Sequence, residues 1–337
     1  MLSRKVDGYP TVKIYKIIAS IVLVMLSSNP AFANEQPLCS AIENAQERLK
    51  CYDQKAQQLS NNMPTHSTGN ELPLKQRIDS EKKLSNVGGF IIVPHRPTYI
   101  MPISYANDLH IEPFKDIYPE KSGQLQNFEA KFQISFKVPL WMNIADKDIN
   151  LWFGYTQLSL WQLYNSQVSS PFRETNYQPE LALAFDTDFK LFAMNNTFIV
   201  FGLDHQSNGQ SKQLSRSWNR LYTNFVLEHK NLMMYFKPWY RLPESQENDD
   251  NPDIDKYLGY GELSLFYRHK RSISGIRFWN NLRAPDNRAS VQLDWSFPVA
   301  SGLKVYIQYF NGYGETLLDY NYRTKRFGLG VMLTDWF

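Results

Sequence analysis

Phe128-Glu129-Ala130-Lys131-Phe132-Gln133-Ile134-Ser135-Phe136-Lys137-Val138 reads with a period of two. Phe128, Ala130, Phe132, Ile134, Phe136 and Val138 share one face, and Glu129, Lys131, Gln133, Ser135 and Lys137 share the other. Successive side chains of a strand point to opposite faces, so the stretch is a strand with one apolar and one charged side. Its length suits a tilted membrane-crossing strand, about 9–11 residues. Strands of a soluble sandwich, the alternative, usually run about five to six. A charge facing lipid is costly near the midplane, so the apolar face points outward and the charges inward.

Similar segments recur at approximately 150–164, 178–189, 195–206, 217–229, 231–243, 256–268, 272–284, 288–298, 302–313 and 325–337, with a weaker one at 96–107 in front. The total is twelve, and closed bacterial barrels have an even number of strands. Tight connections such as that near Lys230 alternate with longer ones at 165–177, 207–216 and 244–255. Short turns belong to the periplasm and long loops to the outside. The fold expected is all-β, a twelve-stranded antiparallel transmembrane barrel over 91–337, with both termini periplasmic. The terminal Leu333-Thr334-Asp335-Trp336-Phe337 closes on an aromatic, as such barrels tend to.

The bulk composition agrees. Hydrophobic residues make up 43% and charged residues 20% of the 337, which argues against disorder. Aromatics reach 15% while the mean hydropathy is negative, as alternating strands require. A net charge of +3 is too small to imply a nucleic-acid partner. No run of about eighteen apolar residues exists, so helical spans are excluded.

The N-terminus reads as an export signal over 1–33. Arg4, Lys5, Lys13 and Lys16 precede the apolar run Ile17 to Leu26, and Ala31-Phe32-Ala33 supplies small residues for cleavage after Ala33. The alternative is an uncleaved anchor. Residues 34–90 form a periplasmic extension, a short helical piece and then a polar linker. Cys39 and Cys51 are the only cysteines, and export favours pairing them. On one straight helix they would lie about 18 Å apart, so a bridge requires a turn between them.

Chemistry concentrates in Asp204-His205-Gln206-Ser207-Asn208-Gly209 and Arg216-Ser217-Trp218-Asn219-Arg220. His205 and Ser207 share a strand face, roughly 6–7 Å apart along the strand. If the 207–216 loop joins neighbouring antiparallel strands, Asn219 lies beside His205 across the ladder. Base, nucleophile and orienting amide follow the logic of nucleophilic acyl transfer. All three fall on the apolar, outward face, so they meet membrane lipid and not a soluble metabolite. The alternative is that these rim groups only meet headgroups.

These residues resemble outer membrane phospholipase A. So do Ser169-Ser170-Pro171-Phe172-Arg173-Glu174-Thr175-Asn176-Tyr177, Lys237-Pro238-Trp239-Tyr240, Asp250-Asn251-Pro252-Asp253 and Gly312-Tyr313-Gly314-Glu315. The resemblance covers roughly 95–337. It implies a calcium-dependent phospholipase A1/A2 and lysophospholipase of the outer membrane, active as a homodimer on phospholipid. It implies Ser207 as nucleophile, His205 as general base, Asn219 as the group orienting the imidazole and Gly209 N–H as oxyanion donor. It further implies a calcium site from the Gln210 carbonyl, the Ser215 hydroxyl and Ser169 of a second subunit, with hard oxygens as calcium requires. Gln157, an amide on a lipid-facing side, is placed by the resemblance in the dimer interface. Lys212 departs from the pattern: it stands where the family often has an acidic calcium ligand, and an ammonium there repels the ion. The competing readings are a non-enzymatic structural or pore-forming barrel, and a lipid A deacylase.

Overall fold

The computed structural model describes residues 39–62, 73–86, 91–115, 123–191, 193–300 and 302–336. The expected signal peptide with its cleavage site, and the terminal Phe337, lie outside the described residues. The chain divides into two compact units, one ending at Asn61 and one running from Asn62 to Phe337.

In the first unit a 3-10 turn, Cys39–Ala41, precedes the helix Ala45–Asn62. Asn44 caps that helix, its Oδ1 accepting from the N–H groups of Gln46 (2.9 Å) and Glu47 (3.2 Å). The bend between turn and helix brings the Cys39 and Cys51 Cα atoms to 5.6 Å, and the two form a disulfide. This is the turn that a bridge across twelve positions needs.

The second unit is the barrel. A two-residue bridge, β1 (Val93–Pro94), is followed by β2 (Thr98–Ala106), β3 (Phe128–Trp141), β4 (Ile149–Trp161), β5 (Phe172–Leu191), β6 (Met194–Ser207) and β7 (Ser217–His229). Then come β8 (Leu232–Arg241), β9 (Gly261–His269), β10 (Ser272–Asn280), β11 (Ala289–Ala300), β12 (Leu303–Gly312) and β13 (Thr324–Thr334). Each of β2 to β13 pairs antiparallel with its sequence neighbour, and β13 pairs with β2, so twelve strands close on themselves. The short connections after β5, β7, β9 and β11 fall at one end. The longer segments 162–171, 208–216, 242–260, 281–288 and 313–323 fall at the other.

The expected alternation holds. Phe128, Ile134, Leu181, Phe201, Leu221, Leu293 and Trp295 are exposed on the outside, while Glu129, Lys131, Glu180, Asp204, Arg220 and Arg326 are buried inside. The interior charges are paired, as burial demands. Arg173 donates to Glu129 (2.7 Å) and Asp319 (3.1 Å), Lys131 to Glu315 (2.8 Å), and Arg326 contacts Glu315 and Glu129, both at 2.9 Å. Lower in the barrel Arg220 pairs with Asp204 at 2.8 Å and Arg96 with Glu180 at 2.9 Å. These ion pairs line the barrel interior.

Two sequence expectations are corrected. The strand expected from 178 begins at Phe172, shortening the expected 165–177 loop to 162–171. Arg173, Glu174, Asn176 and Gln178 are buried polar residues of the barrel interior, so their polarity is not that of a loop. The second correction concerns the 34–90 extension. The helix Pro73–Asn86 packs as part of the barrel unit. Leu74 is buried with Phe198, Val226, Met233 and Phe266, and its N–H donates to Glu228 Oε1 at 2.9 Å. Arg77 donates to the carbonyls of Pro94 (2.7 Å) and Asp335 (3.0 Å), and Lys137 reaches Glu81 at 2.9 Å. Arg77 and Glu81, in the stretch expected as a polar linker, are partners for Pro94, Asp335 and Lys137 of the barrel unit.

Candidate active site

Strand register assembles the site. β6 and β7 pair His205 with Asn219 and Ser207 with Ser217, while β5 pairs Tyr177 with Ser207. The even side chains turn inward: Asp204 to Arg220, and Gln206 to the Trp218 indole N–H at 2.9 Å. Leu203 and His205 are exposed on the outer face, and Leu221 flanks them from β7. His205 is exposed and Ser207 half-buried.

His205 Nδ1 lies 2.9 Å from Asn219 Oδ1. An amide oxygen only accepts, so Nδ1 is the nitrogen that carries the proton, and Nε2 keeps a lone pair toward the outside. That is the tautomer a general base needs.

The loop after Ser207 is organised by Asn208, which sequence reasoning left unassigned. Buried Asn208 donates from Nδ2 to the Leu214 carbonyl (2.7 Å). Its Oδ1 accepts from the N–H groups of Arg216 (3.0 Å) and Gln210 (3.3 Å). The signal was available, since asparagine builds such turns through its own side chain. Gly209 follows at φ 63°, a left-handed conformation that favours glycine, and a Cβ there would stand 3.0 Å from the Tyr177 ring.

The expected calcium ligands lie on two loops. Gln210 and Ser215 belong to 208–216; Ser169, exposed and at φ 63°, belongs to 162–171. Ser215 Oγ donates to Asp250 Oδ2 at 2.6 Å. Asp250 is therefore a hard anionic oxygen beside the expected ligands, marked in the sequence by Asp250-Asn251-Pro252-Asp253 but given no role there. Lys212 is exposed, at φ 56°, in the turn before Ser215. Among the described residues no group of three or more His, Cys, Asp or Glu is placed to hold a metal. The expected set relies instead on hydroxyl and carbonyl oxygens.

Gln157 sits half-buried on the outer face of β4 in a polar ladder. Tyr155 O–H donates to its Oε1 and its Nε2 donates to Ser159 Oγ, both at 3.2 Å. The register places Gln157 opposite Tyr177, and Tyr177 opposite Ser207, in one row across three strands.

A family model described as Phospholipase A1 matches residues 74–333. The chain is 40% identical over 248 residues to the phospholipase A1 of Salmonella typhimurium, covering 74% of this chain and 83% of that protein. Outer membrane phospholipase A from Escherichia coli superposes with a TM-score of 0.69 at 38% identity, over 73% of this chain and 99% of that one. The Salmonella typhi outer membrane phospholipase, solved as a dimer with bound calcium, gives 0.69 and 38% over 73% of this chain and 94% of that one. The barrel, its exposed outward histidine and these likenesses lead to one conclusion: the chain belongs to the phospholipase A1 family.

Proposed function

We propose that this outer-membrane phospholipase hydrolyses phospholipid acyl esters with a Ser207–His205–Asn219 triad on the lipid-facing surface of its barrel. The observation that carries this is the 2.9 Å contact between His205 Nδ1 and Asn219 Oδ1 on the outward side, with Ser207 two residues along the same face. Ser207 Oγ attacks the ester carbonyl while His205 Nε2 takes its proton. The imidazolium returns the proton to the departing lyso-lipid oxygen, leaving an acyl-serine that water then cleaves by the same route. The Gly209 N–H serves the oxyanion, since its left-handed backbone turns the peptide after the nucleophile. An amide as third member avoids placing a bare carboxylate against lipid.

Calcium fits the oxygens present: the Gln210 carbonyl, the Ser215 hydroxyl and the adjacent Asp250 carboxylate, completed by Ser169 from a second copy. Bound there, calcium supplies positive charge beside the developing oxyanion. The dimer reading rests on Gln157, whose amide faces lipid in line with Ser207. The long loops point outside the cell and the short turns and both termini to the periplasm.

The family sets aside the non-enzymatic barrel. A lipid A deacylase shares the nucleophile logic and differs in substrate. Labelling by a long-chain sulfonyl fluoride, lost in Ser207→Ala, together with product analysis on defined phospholipids and on lipid A, tests the assignment. Label retained in Ser207→Ala, or release from lipid A alone, overturns it.

A further inference from the structure

Asn219 has a second partner. Its Nδ2 donates to Glu244 Oε1 at 2.8 Å, while its Oδ1 faces His205 Nδ1 at 2.9 Å. We propose that Glu244 is a positioning residue of the phospholipase, extending the triad to Ser207–His205–Asn219–Glu244. The inference rests on the triad reading above.

The chemistry of the amide carries it. Asparagine presents a donor and an acceptor of nearly equal shape, so a rotation of about 180° would turn Nδ2 toward His205. A donor facing Nδ1 would force the proton onto Nε2, the nitrogen that must accept from Ser207. An ionised carboxylate only accepts. Glu244 therefore holds the NH2 on its own side and leaves Oδ1 for the imidazole.

The backbone fixes Glu244 in place. The chain leaves β8 at Arg241, and the Leu242 N–H donates to the Asn219 carbonyl at 2.8 Å, two residues before Glu244. Arg241 Nη2 donates to Asp249 at 2.6 Å and Nη1 to the Pro252 carbonyl at 3.2 Å, which ties the loop base together. Partial burial and the nearby Asp249 and Asp250 push the Glu244 carboxyl up, opposed by the Asn219 hydrogen bond and by Arg241.

There is also an electrostatic consequence. His205 becomes cationic in the transition state, and a carboxylate one amide away favours that charge without itself standing in lipid. The charged groups facing Glu244 are Arg241, Asp249 and Asp250, with His205 beyond Asn219.

The test compares Glu244→Ala, Glu244→Gln, Asn219→Ala and the parent as full-length refolded dimers on phospholipid micelles at saturating calcium, with folding checked by gel mobility. Glu244→Ala is expected to lower kcat about tenfold, equivalent to about 1.4 kcal/mol, with KM within twofold. The acid limb of its kcat profile should move to lower pH. Glu244→Gln, which retains an acceptor but no charge, should recover most of kcat and keep the shifted limb. Unchanged kcat and pH profile in Glu244→Ala, or a fall in kcat with the acid limb unmoved, overturns the positioning role alone. Parent-level activity in Asn219→Ala instead overturns the triad on which it rests.

Discussion

Asn219 Oδ1 stands 2.9 Å from His205 Nδ1 across the β6–β7 ladder, on the side of the barrel that faces lipid. In the proposed triad the contact selects the Nε2-basic tautomer before substrate arrives, so the imidazole need not reorganise when Ser207 attacks. Asn219→Ala should therefore lower kcat by about 100-fold, the usual range for a misplaced general base, with little change in KM. Steady-state kinetics on micellar phospholipid check this; parent-level kcat would contradict it.

Lys212 and Asp250 place opposite charges beside the proposed calcium site. Asp250 holds Ser215 at 2.6 Å, whereas Lys212 places an ammonium in the preceding turn. Lys212→Asp should tighten calcium binding by detergent-solubilised monomer by about tenfold, and Asp250→Asn should weaken it by a similar factor, each about 1.4 kcal/mol. Calorimetric titration reads both. Two unchanged affinities would remove calcium from this loop.

Gln157 has hydrogen-bond partners in its own ladder, yet its amide lies amid lipid-facing residues. A polar contact across helices in membranes is worth about 0.6–1.7 kcal/mol, and a similar value is expected here between two barrels. Gln157→Leu should raise the dimer dissociation constant by about three- to twentyfold. Unchanged chemical cross-linking of the sulfonylated enzyme would contradict it.

Asp319, in the 313–323 loop, gives a pH signature. Burial alone would push its carboxyl up, but Arg173 at 3.1 Å and His110 at 3.4 Å hold it well below the usual carboxylate range. A folded-state pKa below the unfolded one contributes stability above the unfolded value, and that contribution is lost as pH falls toward the folded one. Removing one partner of a buried pair costs about 3–5 kcal/mol. Asp319→Asn should therefore lower the unfolding midpoint at neutral pH, with the gap to the parent narrowing in strong acid. A gap independent of pH would contradict it.

The barrel and the facing of its site were legible because both follow from a period of two. Phe128 to Val138 fixes inside and outside, and the same parity puts His205 and Ser207 on the outer face. Polarity misled where it lay inside: Arg173, Glu174 and Asn176 read as loop, yet they line a buried ionic lattice. The helix Pro73–Asn86 was hidden for the same reason, since its Arg77 and Glu81 find their partners only once the barrel is closed. Glu244 and the role of Asp250 were out of reach because no local pattern says where a long loop returns. Their contacts to Ser215 and Asn219 depend on the 242–260 loop folding back over β7.

Fatty-acid release from phospholipid micelles by purified Ser207→Ala, in saturating calcium and with the barrel verified as folded, tests the lipid-facing triad most directly. A fall of at least about a thousandfold relative to the parent enzyme is predicted, because the nucleophile cannot be replaced by its neighbours. Activity within tenfold of the parent would contradict it and move the chemistry away from this face of the barrel.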